Sequence, residues 1–504
     1  MKGNHLKYLT RYAHELLALL AGSVLPLAFA PYSLFPIAIL SPALLLISWQ
    51  NASRKQAFWR GFYYGVGMFG FGIYWVYISM YQFANVPWFG AITLTIALIA
   101  GMALYPALLG WVLVRYFPNS FSKLLVFPSL WTLTEWFRSW ILTGFPWLNL
   151  GSSQTDSPLS GFIPIIGEFG VTWLVVINAS LLVYIWKNYY YFKRLLLPCL
   201  LAITLWITGY QLMTVNWTTP IDKPIKVALI QGNIPQEFKW TEAFRVDSVL
   251  RYLTVSQQNR DADLIIWPET SIPVLYKDIS YYIPHFIRQL AYERVKYKTD
   301  FLIGMPFGDL HNEYFNSVLN LSDSSQLYFK RHLVPFGEYI PLQSLFDQLF
   351  HFFDVPLTTF TAGNAKQTLL HAAGQTLGVT ICYESAFTEL VRSSLPNATL
   401  LVNVSNDAWF GYSIAPFQHL QIARMRALEN GRYLLRATNT GISAIIDDKG
   451  KIITQSPQLK IHALRNLVQP YQGITPYSHI GNMMIIVILW LILGIMIILT
   501  RKYK

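Results

Sequence analysis

Long uncharged apolar segments fill most of residues 1–214, and they limit the possible folds more than any other feature of this chain. A further apolar run, from Met483 to Thr500, carries no charge and is long enough to cross a bilayer as a helix. Only 13% of all residues are charged, against about 25% in soluble domains. The sequence therefore predicts an integral membrane protein in three parts: membrane helices at 1–214, an extramembrane domain at 215–480, and a last helix with its tail at 481–504.

We predict about eight membrane-spanning helices, seven before the globular part and one after it. Their approximate bounds are 14–30, 33–49, 59–80, 89–114, 124–141, 166–186, 194–213 and 483–500. Basic residues occur in alternate loops and at both ends of the chain, whereas the loops 31–35 and 81–88 contain none. The positive-inside rule then places both termini in the cytoplasm and the globular domain on the opposite side of the membrane. This distribution also explains the net charge of +12 as a topology signal, so we expect no nucleic-acid partner.

Two features of the predicted membrane helices stand out. The third span carries five glycines interleaved with aromatic residues, a pattern typical of close helix packing: Gly61, Gly65, Gly67, Gly70 and Gly72. In the fifth span, Glu135 and Arg138 are three residues apart and share one helical face. We interpret them as a structural ion pair, with contact to a lipid headgroup as the alternative, because intramembrane charges often mark function.

From residue 226 onward, short β-rich apolar runs alternate with longer helical stretches. The runs lie at 227–231, 264–267, 301–305, 317–321, 377–382, 400–404 and 442–446, and the helical stretches at 243–259, 281–297 and 417–430. This alternation predicts an α/β domain whose polar residues are displayed from the ends of strands.

Three chemically competent residues follow such β-rich runs. Cys382 is one of only two cysteines in the chain, and the other, Cys199, lies in an apolar stretch. A single cysteine after an apolar run is most often a core residue. However, Glu269 and Lys330 occupy equivalent positions, Glu269 after the β-rich segment 262–267 and Lys330 after the segment 326–329. A thiol, a carboxylate and an ammonium group that converge from strand ends suit an acyl-transfer site.

The same residues carry a family resemblance. The runs are Trp267-Pro-Glu-Thr270, Lys330-Arg-His-Leu-Val-Pro-Phe-Gly-Glu338-Tyr-Ile-Pro341 and Ile381-Cys-Tyr-Glu384, and in this order they resemble the nitrilase superfamily with its Glu-Lys-Cys triad. Together with the flanking spans, the second and third runs narrow the resemblance to the apolipoprotein N-acyltransferase family, across essentially the whole chain. The resemblance implies a nitrilase-like four-layer αββα sandwich outside the membrane. It also implies Glu269 as general base, Lys330 as oxyanion stabiliser and Cys382 as nucleophile.

The resemblance extends to supporting residues. It implies that Glu338 and Glu384 are important to the active site, and that Asn316 provides a hydrogen bond near the lysine. Tyr383 and Trp240 resemble the family's aromatic positions around the acyl entry, although Trp240 also suits interface anchoring or core packing. The backbone N–H of Tyr383 is a second candidate donor to the oxyanion.

The strand and turn at 403–411 are a candidate for part of the rim of the active-site cavity, where we expect Trp409 and Phe410 to contact lipid. Phe336 and the apolar segments 346–353 and 355–360 are candidates for mobile loops that admit acyl chains. Such loops would also exclude water, which otherwise hydrolyses a thioester.

The expected reaction has two half-reactions at one site. Cys382 attacks an ester of a membrane phospholipid, which by family resemblance is phosphatidylethanolamine, and becomes a thioester. The α-amine of a diacylglyceryl-modified cysteine at a lipoprotein's N-terminus then accepts the acyl chain. We expect no metal or other cofactor in this chemistry, and a monomer, since all required groups lie on one chain.

Two alternatives use the same features differently. A membrane-tethered nitrilase-type amidase would use the triad for hydrolysis, although seven spans exceed what tethering requires. A transporter with a substrate-binding domain would show repeated halves with broken polar helices, and the sequence contains no such repeat.

Overall fold

The computed structural model of this protein describes residues 2–84, 86–308, 313–321, 323, 325–339 and 360–502. The chain forms two compact units. The first comprises Met1–Tyr77, Phe89–Val215 and His479–Lys504, and the second comprises Ile78–Trp88 and Asn216–Ser478.

The first unit is helical. Its helices are α1 (Lys2–Val24), α2 (Ile37–Ser48), α3 (Arg54–Gly72), α5 (Trp88–Tyr116), α6 (Ser120–Arg138), α7 (Ile163–Asn188), α8 (Phe192–Leu212) and α16 (Met483–Lys502), and the short α4 (Trp75–Ile78) follows α3. Four helical segments of the described chain are long and apolar enough to cross a membrane: Trp88–Tyr116, Pro158–Asn188, Phe192–Leu212 and Met483–Thr500. Tyr12–Ala28 and Ile37–Ser48 are shorter apolar helices.

Glycines of α3 allow close helix packing, as predicted. A Cβ atom on Gly61 would lie 2.3 Å from the carbonyl oxygen of Pro106 in α5, and one on Gly67 would lie 2.4 Å from that of Leu19 in α1. Gly70 does not share this role, because the space beside it is open. Any side chain at Gly61 or Gly67 would therefore force the helices apart.

Glu135 and Arg138 are buried among polar partners within the first unit. The Glu135 carboxylate accepts hydrogen bonds from the Leu150 N–H at 3.0 Å and from the Thr172 hydroxyl at 2.7 Å. Arg138 donates to the Asn149 Oδ1 atom at 2.7 Å. These contacts tie α6 to the segment before α7 and to α7 itself. They support a structural role, while the ion pair itself stays a prediction.

The second unit contains two six-stranded sheets. The strands are β1 (Thr219–Pro220), β2 (Ile225–Gln231), β3 (Leu264–Trp267), β4 (Asp300–Gly308), β5 (Tyr314–Asn320), β6 (Leu327–Phe329), β7 (Leu370–Ala372), β8 (Gln375–Ile381), β9 (Leu400–Ser405), β10 (Leu434–Thr438), β11 (Ala444–Ile446), β12 (Ile452–Gln455), β13 (His462–Val468) and β14 (Tyr471–Gln472). One sheet has the order β13-β2-β3-β4-β5-β6 and the other β12-β11-β10-β9-β8-β7, while β1 pairs with β14.

Helices cover the outer faces of both sheets. The helices between α8 and α16 are α9 (Gln236–Lys239), α10 (Glu242–Gln257), α11 (Ile279–Tyr282), α12 (Phe286–Tyr297), α13 (Thr388–Arg392), α14 (Ala415–Asn430) and α15 (Pro476–Ile480). One apolar core joins the facing sides of the two sheets, and separate cores pack α10 and α12 on one outer side and α13 and α14 on the other. Two sheets between two helical layers confirm the predicted αββα sandwich.

The helix predicted at 281–297 is wrong in one respect, because it is two helices. α11 ends at Tyr282 and α12 begins at Phe286, and between them His285 has a positive φ of 69°. A left-handed residue cannot continue a right-handed helix, so the chain turns there.

Candidate active site

The three predicted catalytic residues lie at strand ends in the second unit. Glu269 comes two residues after β3, Lys330 directly follows β6, and Cys382 directly follows β8. β3 and β6 belong to one sheet and β8 to the facing sheet. The sandwich therefore brings a carboxylate and an ammonium group from one sheet toward a thiol from the other.

Lys330 lies between two carboxylates. Its Nζ atom is 2.8 Å from the Glu338 Oε1 atom and 3.4 Å from the Glu269 Oε1 atom. The Asn316 amide donates to both carboxylates, at 2.7 Å to Glu269 and 3.0 Å to Glu338. The backbone N–H of Asn406 donates to the other Glu269 oxygen at 2.8 Å. The contacts from Lys330, Asn316 and Asn406 together hold the Glu269 carboxylate in a fixed position.

The backbone at Cys382 is strained. It has a φ of 53°, which side-chain-bearing residues rarely adopt and which costs about 1–3 kcal/mol. Three donors hold the carbonyl oxygen of Cys382: Ser385 Oγ at 3.1 Å, His419 Nε2 at 3.1 Å and Asn403 Nδ2 at 3.3 Å. These contacts stabilise a sharp turn that presents the thiol at the end of β8.

The charges around the thiol determine its resting state. Burial raises the pKa of Cys382 to about 12, and the Glu269 carboxylate adds to this rise while Lys330 opposes it. Burial alone would lower the pKa of Lys330, but Glu338 and Glu269 together raise it above its ordinary value. The thiol is therefore protonated at rest and Lys330 is charged. Glu269 is then the group in this set that is suited to take the thiol proton.

A second buried cluster, which consists of Asp407, His419 and Arg436, supports the Cys382 turn. Arg436 donates to the Asp407 Oδ2 atom at 2.8 Å and lies 2.9 Å from the His419 Nδ1 atom. Burial and Arg436 lower the pKa of His419, so its ring is neutral. The Nδ1 atom also lies 3.1 Å from the Asp407 Oδ1 atom, whereas Nε2 points to the Cys382 carbonyl oxygen, which can only accept. We therefore assign the single ring proton to Nε2, with Nδ1 accepting from Arg436. Sequence reasoning missed this cluster.

Glu384 links the Cys382 turn to the loop after Lys330. Its carboxylate accepts from the backbone N–H groups of Ile381 at 2.7 Å, Arg331 at 2.5 Å and His332 at 3.1 Å. It also accepts from the Tyr328 hydroxyl at 2.9 Å. The carboxylate therefore holds together the two chain segments that carry the thiol and the ammonium group.

We expect Glu384→Gln to lower the free energy of unfolding by about 3 kcal/mol and to reduce activity, because an amide N–H would face backbone N–H groups. The control is Glu389→Gln, which removes an exposed pair with Arg392 and should cost less than about 1 kcal/mol. Thermal unfolding of both full-length variants checks this. Equal stability of the two would contradict the linking role of Glu384.

The predicted aromatic residues lie in several environments. Trp240 is 47% exposed, while Tyr383 is half-buried with its ring centroid 5.0 Å from that of Phe387. The Phe410 ring lies edge-on to His419 at 6.2 Å, and the backbone carbonyl of Trp409 accepts from Ser79 at 2.7 Å.

The loops predicted to admit acyl chains are only partly described. Phe336 is 46% exposed and has a φ of 62°. Residues 346–353 and 355–359 lie outside the described residues.

Two family models match this chain. The one described as apolipoprotein N-acyltransferase N-terminal domain matches residues 21–181, and the one described as carbon-nitrogen hydrolase matches residues 226–465. The apolipoprotein N-acyltransferase of Methylococcus capsulatus (strain Bath) is 44% identical, over 93% of this chain and 92% of that protein. That of Vibrio cholerae is 41% identical, over 93% of each chain. The matches to curated relatives therefore extend across both units.

Among solved structures, Nit3 of Saccharomyces cerevisiae, a member of branch 10 of the nitrilase superfamily, is 20% identical to this chain. It covers 50% of this chain and 92% of its own, with a TM-score of 0.36.

Proposed function

The chain belongs to the apolipoprotein N-acyltransferase family, and from that premise we propose that Cys382 carries an acyl chain between two lipid substrates. The donor is a membrane phospholipid and the acceptor is the N-terminal diacylglyceryl-cysteine of a lipoprotein. The observation that carries this assignment to residues is the buried pair of Glu269 and Lys330 together with the half-buried Cys382, in a chain whose relatives match along 93% of its length. That coverage supports the transferase over a hydrolytic amidase.

In the first half-reaction, the thiol of Cys382 gives its proton to Glu269 as the sulfur bonds to the ester carbonyl carbon. A thiol with its pKa raised to about 12 needs this assistance, because almost no free thiolate exists at neutral pH. The lysophospholipid oxygen leaves and takes the proton from Glu269. Cys382 is then an acyl thioester.

Lys330 stabilises the tetrahedral oxyanion that precedes loss of the lysophospholipid. It remains an ammonium group because Glu338 and Glu269 raise its pKa. Together with the backbone N–H of Tyr383 it provides two donors for the developing negative charge. Glu338, Asn316 and Glu384 support the site by positioning Lys330, Glu269 and the Cys382 turn.

In the second half-reaction, the α-amine of the acceptor attacks the thioester. A free α-amine has an ordinary pKa of about 8 and must be neutral to attack, so Glu269 takes its proton. As the nitrogen–carbon bond forms, the carbon–sulfur bond of the thioester breaks, and the departing sulfur of Cys382 takes the proton from Glu269, which restores the thiol. The amide product is a triacylated lipoprotein. Trp240, Trp409 and Phe410 are proposed contacts for the lipid chains.

Both substrates are anchored in a bilayer, which supports a particular topology. We place residues 1–214 and 481–504 in a bacterial inner membrane as about eight spans with both termini in the cytoplasm, and the catalytic residues 215–480 on the periplasmic face. The helices of the first unit and the alternation of basic loops support this arrangement. We propose phosphatidylethanolamine as donor and a monomer as the working form.

The test uses the full-length protein and phosphatidylethanolamine with one heavy-labelled acyl chain. We expect intact-mass analysis to show one labelled acyl adduct that hydroxylamine removes and that a diacylated Cys-peptide discharges as an amide. No adduct from any phospholipid, together with thiol-dependent ammonia release from small amides, would contradict the proposal and indicate an amidase.

A further inference from the structure

The short helix α9 directs a lysine into the protein beside the active site. Lys239 is only 2% exposed, although its neighbours Phe238 and Trp240 are 44% and 47% exposed. A lysine is rarely buried to this extent without a partner. The sequence alone gave no sign that the side chain between two exposed aromatic residues turns inward.

Lys239 contacts the backbone around the proposed general base. Its Nζ atom donates to the carbonyl oxygen of Glu269 at 3.3 Å and to the Thr270 hydroxyl at 2.5 Å. Thr270 has a positive φ of 45°. The lysine therefore fixes a turn that an unsupported chain would avoid.

The same helix also reaches the carboxylate of Glu269. The Gln236 Oε1 atom accepts from the Asn406 side-chain amide at 2.8 Å, and the Asn406 backbone N–H donates to the Glu269 Oε2 atom at 2.8 Å. Helix α9 thus holds Glu269 at its backbone through Lys239 and at its side chain through Asn406.

The charged groups around Lys239 are those of the active site. From the end of β3 it faces Glu269, and from the end of β8 a thiolate at Cys382 would favour its ammonium form. Lys330 lies on the other side of the Glu269 carboxylate, 3.4 Å from it. On its own helix, Glu237 is exposed.

We propose that Lys239 is a second lysine of the active site, a positioning residue that fixes the Glu269 turn and whose ammonium charge favours the anionic form of Cys382 during acylation. This deepens the proposed function and rests on it. No proton moves to or from Lys239. The thiol proton goes to Glu269, the sulfur–carbon bond forms, the ester carbon–oxygen bond breaks, and the departing oxygen takes the proton from Glu269.

The role proposed for the Lys239 charge predicts that the rate of Cys382 acylation depends on pH. Burial lowers the pKa of Lys239 to about 8, and Glu269 and Cys382 oppose that decrease. The lysine is therefore charged below that pH and neutral above it. We expect acylation of Cys382 to become slower as pH rises through about 8. Attack by the acceptor amine should become faster over the same range, so the two half-reactions must be timed separately.

The test compares Lys239→Met, which has similar length without the charge, with the full-length parent and with Lys277→Met at an exposed lysine. The acylation rate by labelled phosphatidylethanolamine is followed by intact mass from about pH 6 to about pH 10. We expect Lys239→Met to acylate about 10–100-fold more slowly at neutral pH and to lack the decrease near pH 8. Lys239→Arg should recover part of the rate. Lys277→Met should behave like the parent.

A second measurement does not depend on the phospholipid reaction. Alkylation of Cys382 by neutral iodoacetamide, followed by peptide mapping to separate it from Cys199, should be about tenfold slower in Lys239→Met at equal melting temperature. An unchanged alkylation rate and pH profile would overturn the role of Lys239. If the parent forms no phospholipid adduct but alkylation still depends on Lys239, the proposed function fails and the role of Lys239 stands.

Discussion

Replacing Cys382 with alanine is expected to abolish the labelled acyl adduct and to lower acyl transfer by at least about four orders of magnitude. The variant keeps Glu269, Lys330 and their hydrogen bonds but has no atom on which a thioester can form. Because alanine removes a single sulfur atom from a half-buried position, the free energy of unfolding should change by only about 1 kcal/mol. Intact-mass analysis with labelled phospholipid measures the adduct, and thermal unfolding measures stability.

Cys199→Ala is the matched control, because Cys199 is the other cysteine and lies in α8 of the first unit. It should form the adduct at the parent rate. Cys382→Ser adds a sharper comparison, since a hydroxyl in the same position is a much weaker nucleophile than a thiol and should lose at least about 1,000-fold in rate. A labelled adduct on Cys382→Ala would place the nucleophile elsewhere and refute the assignment.

The proposed triad could be predicted from the sequence, and the reason is physical. Each member follows a short β-rich run, and a polar residue just beyond a buried strand is placed at an edge of the sheet. Glu269, Lys330 and Cys382 all satisfy this local pattern. The structure brings the ends of their strands together within one unit. Their catalytic roles stay predictions until variants are measured.

The supporting groups could not be found in the same way. Asp407 and Arg436 are 29 residues apart, and His419 is 12 residues from Asp407, so no local spacing predicts that they meet beneath Cys382. Lys239 reaches Thr270 across 31 residues. A buried polar cluster depends on long-range packing, and nothing in the neighbouring sequence marks its members.

Some strands were predicted from the sequence, but one with a buried charged residue was missed. Uncharged apolar runs such as those of β3 and β9 were located, with bounds of Leu264–Trp267 and Leu400–Ser405 in the structure. The prediction omitted β10, Leu434–Thr438, which carries Arg436 in its interior. A charged residue in a run argues against a buried strand, but here Asp407 and Asn403 accept hydrogen bonds from the guanidinium group and make its burial possible.

Replacing Lys330 with methionine is expected to be the most damaging single change to both activity and stability. The lysine side chain is 1% exposed and lies within 3.4 Å of Glu269 and 2.8 Å of Glu338. Methionine fills a similar volume but leaves two buried carboxylates without this cation. Removing one partner of a buried pair costs about 3–5 kcal/mol, and losing an oxyanion donor costs at least about 100-fold in rate. Thermal unfolding and the acylation rate measure the two effects, with Lys277→Met as the exposed control.

The stability loss should depend on pH in a direction that the charges determine. Without Lys330 the two buried carboxylates repel one another, and protonation of either one relieves that repulsion. The stability deficit should therefore shrink on acidification and grow as pH rises. A deficit that grew on acidification instead would contradict the proposed cause.

A double variant separates the structural effect of Lys330 from its chemical effect. Lys330→Met with Glu338→Gln removes one of the two carboxylates along with the cation, and the Asn316 amide retains a neutral oxygen to which it can donate. We expect most of the lost stability to return, because one buried uncompensated charge is gone. Acylation should stay slow, because no cation faces the oxyanion from this position. If acylation returned together with stability, the charge of Lys330 would not be needed for the reaction and its role would be structural alone.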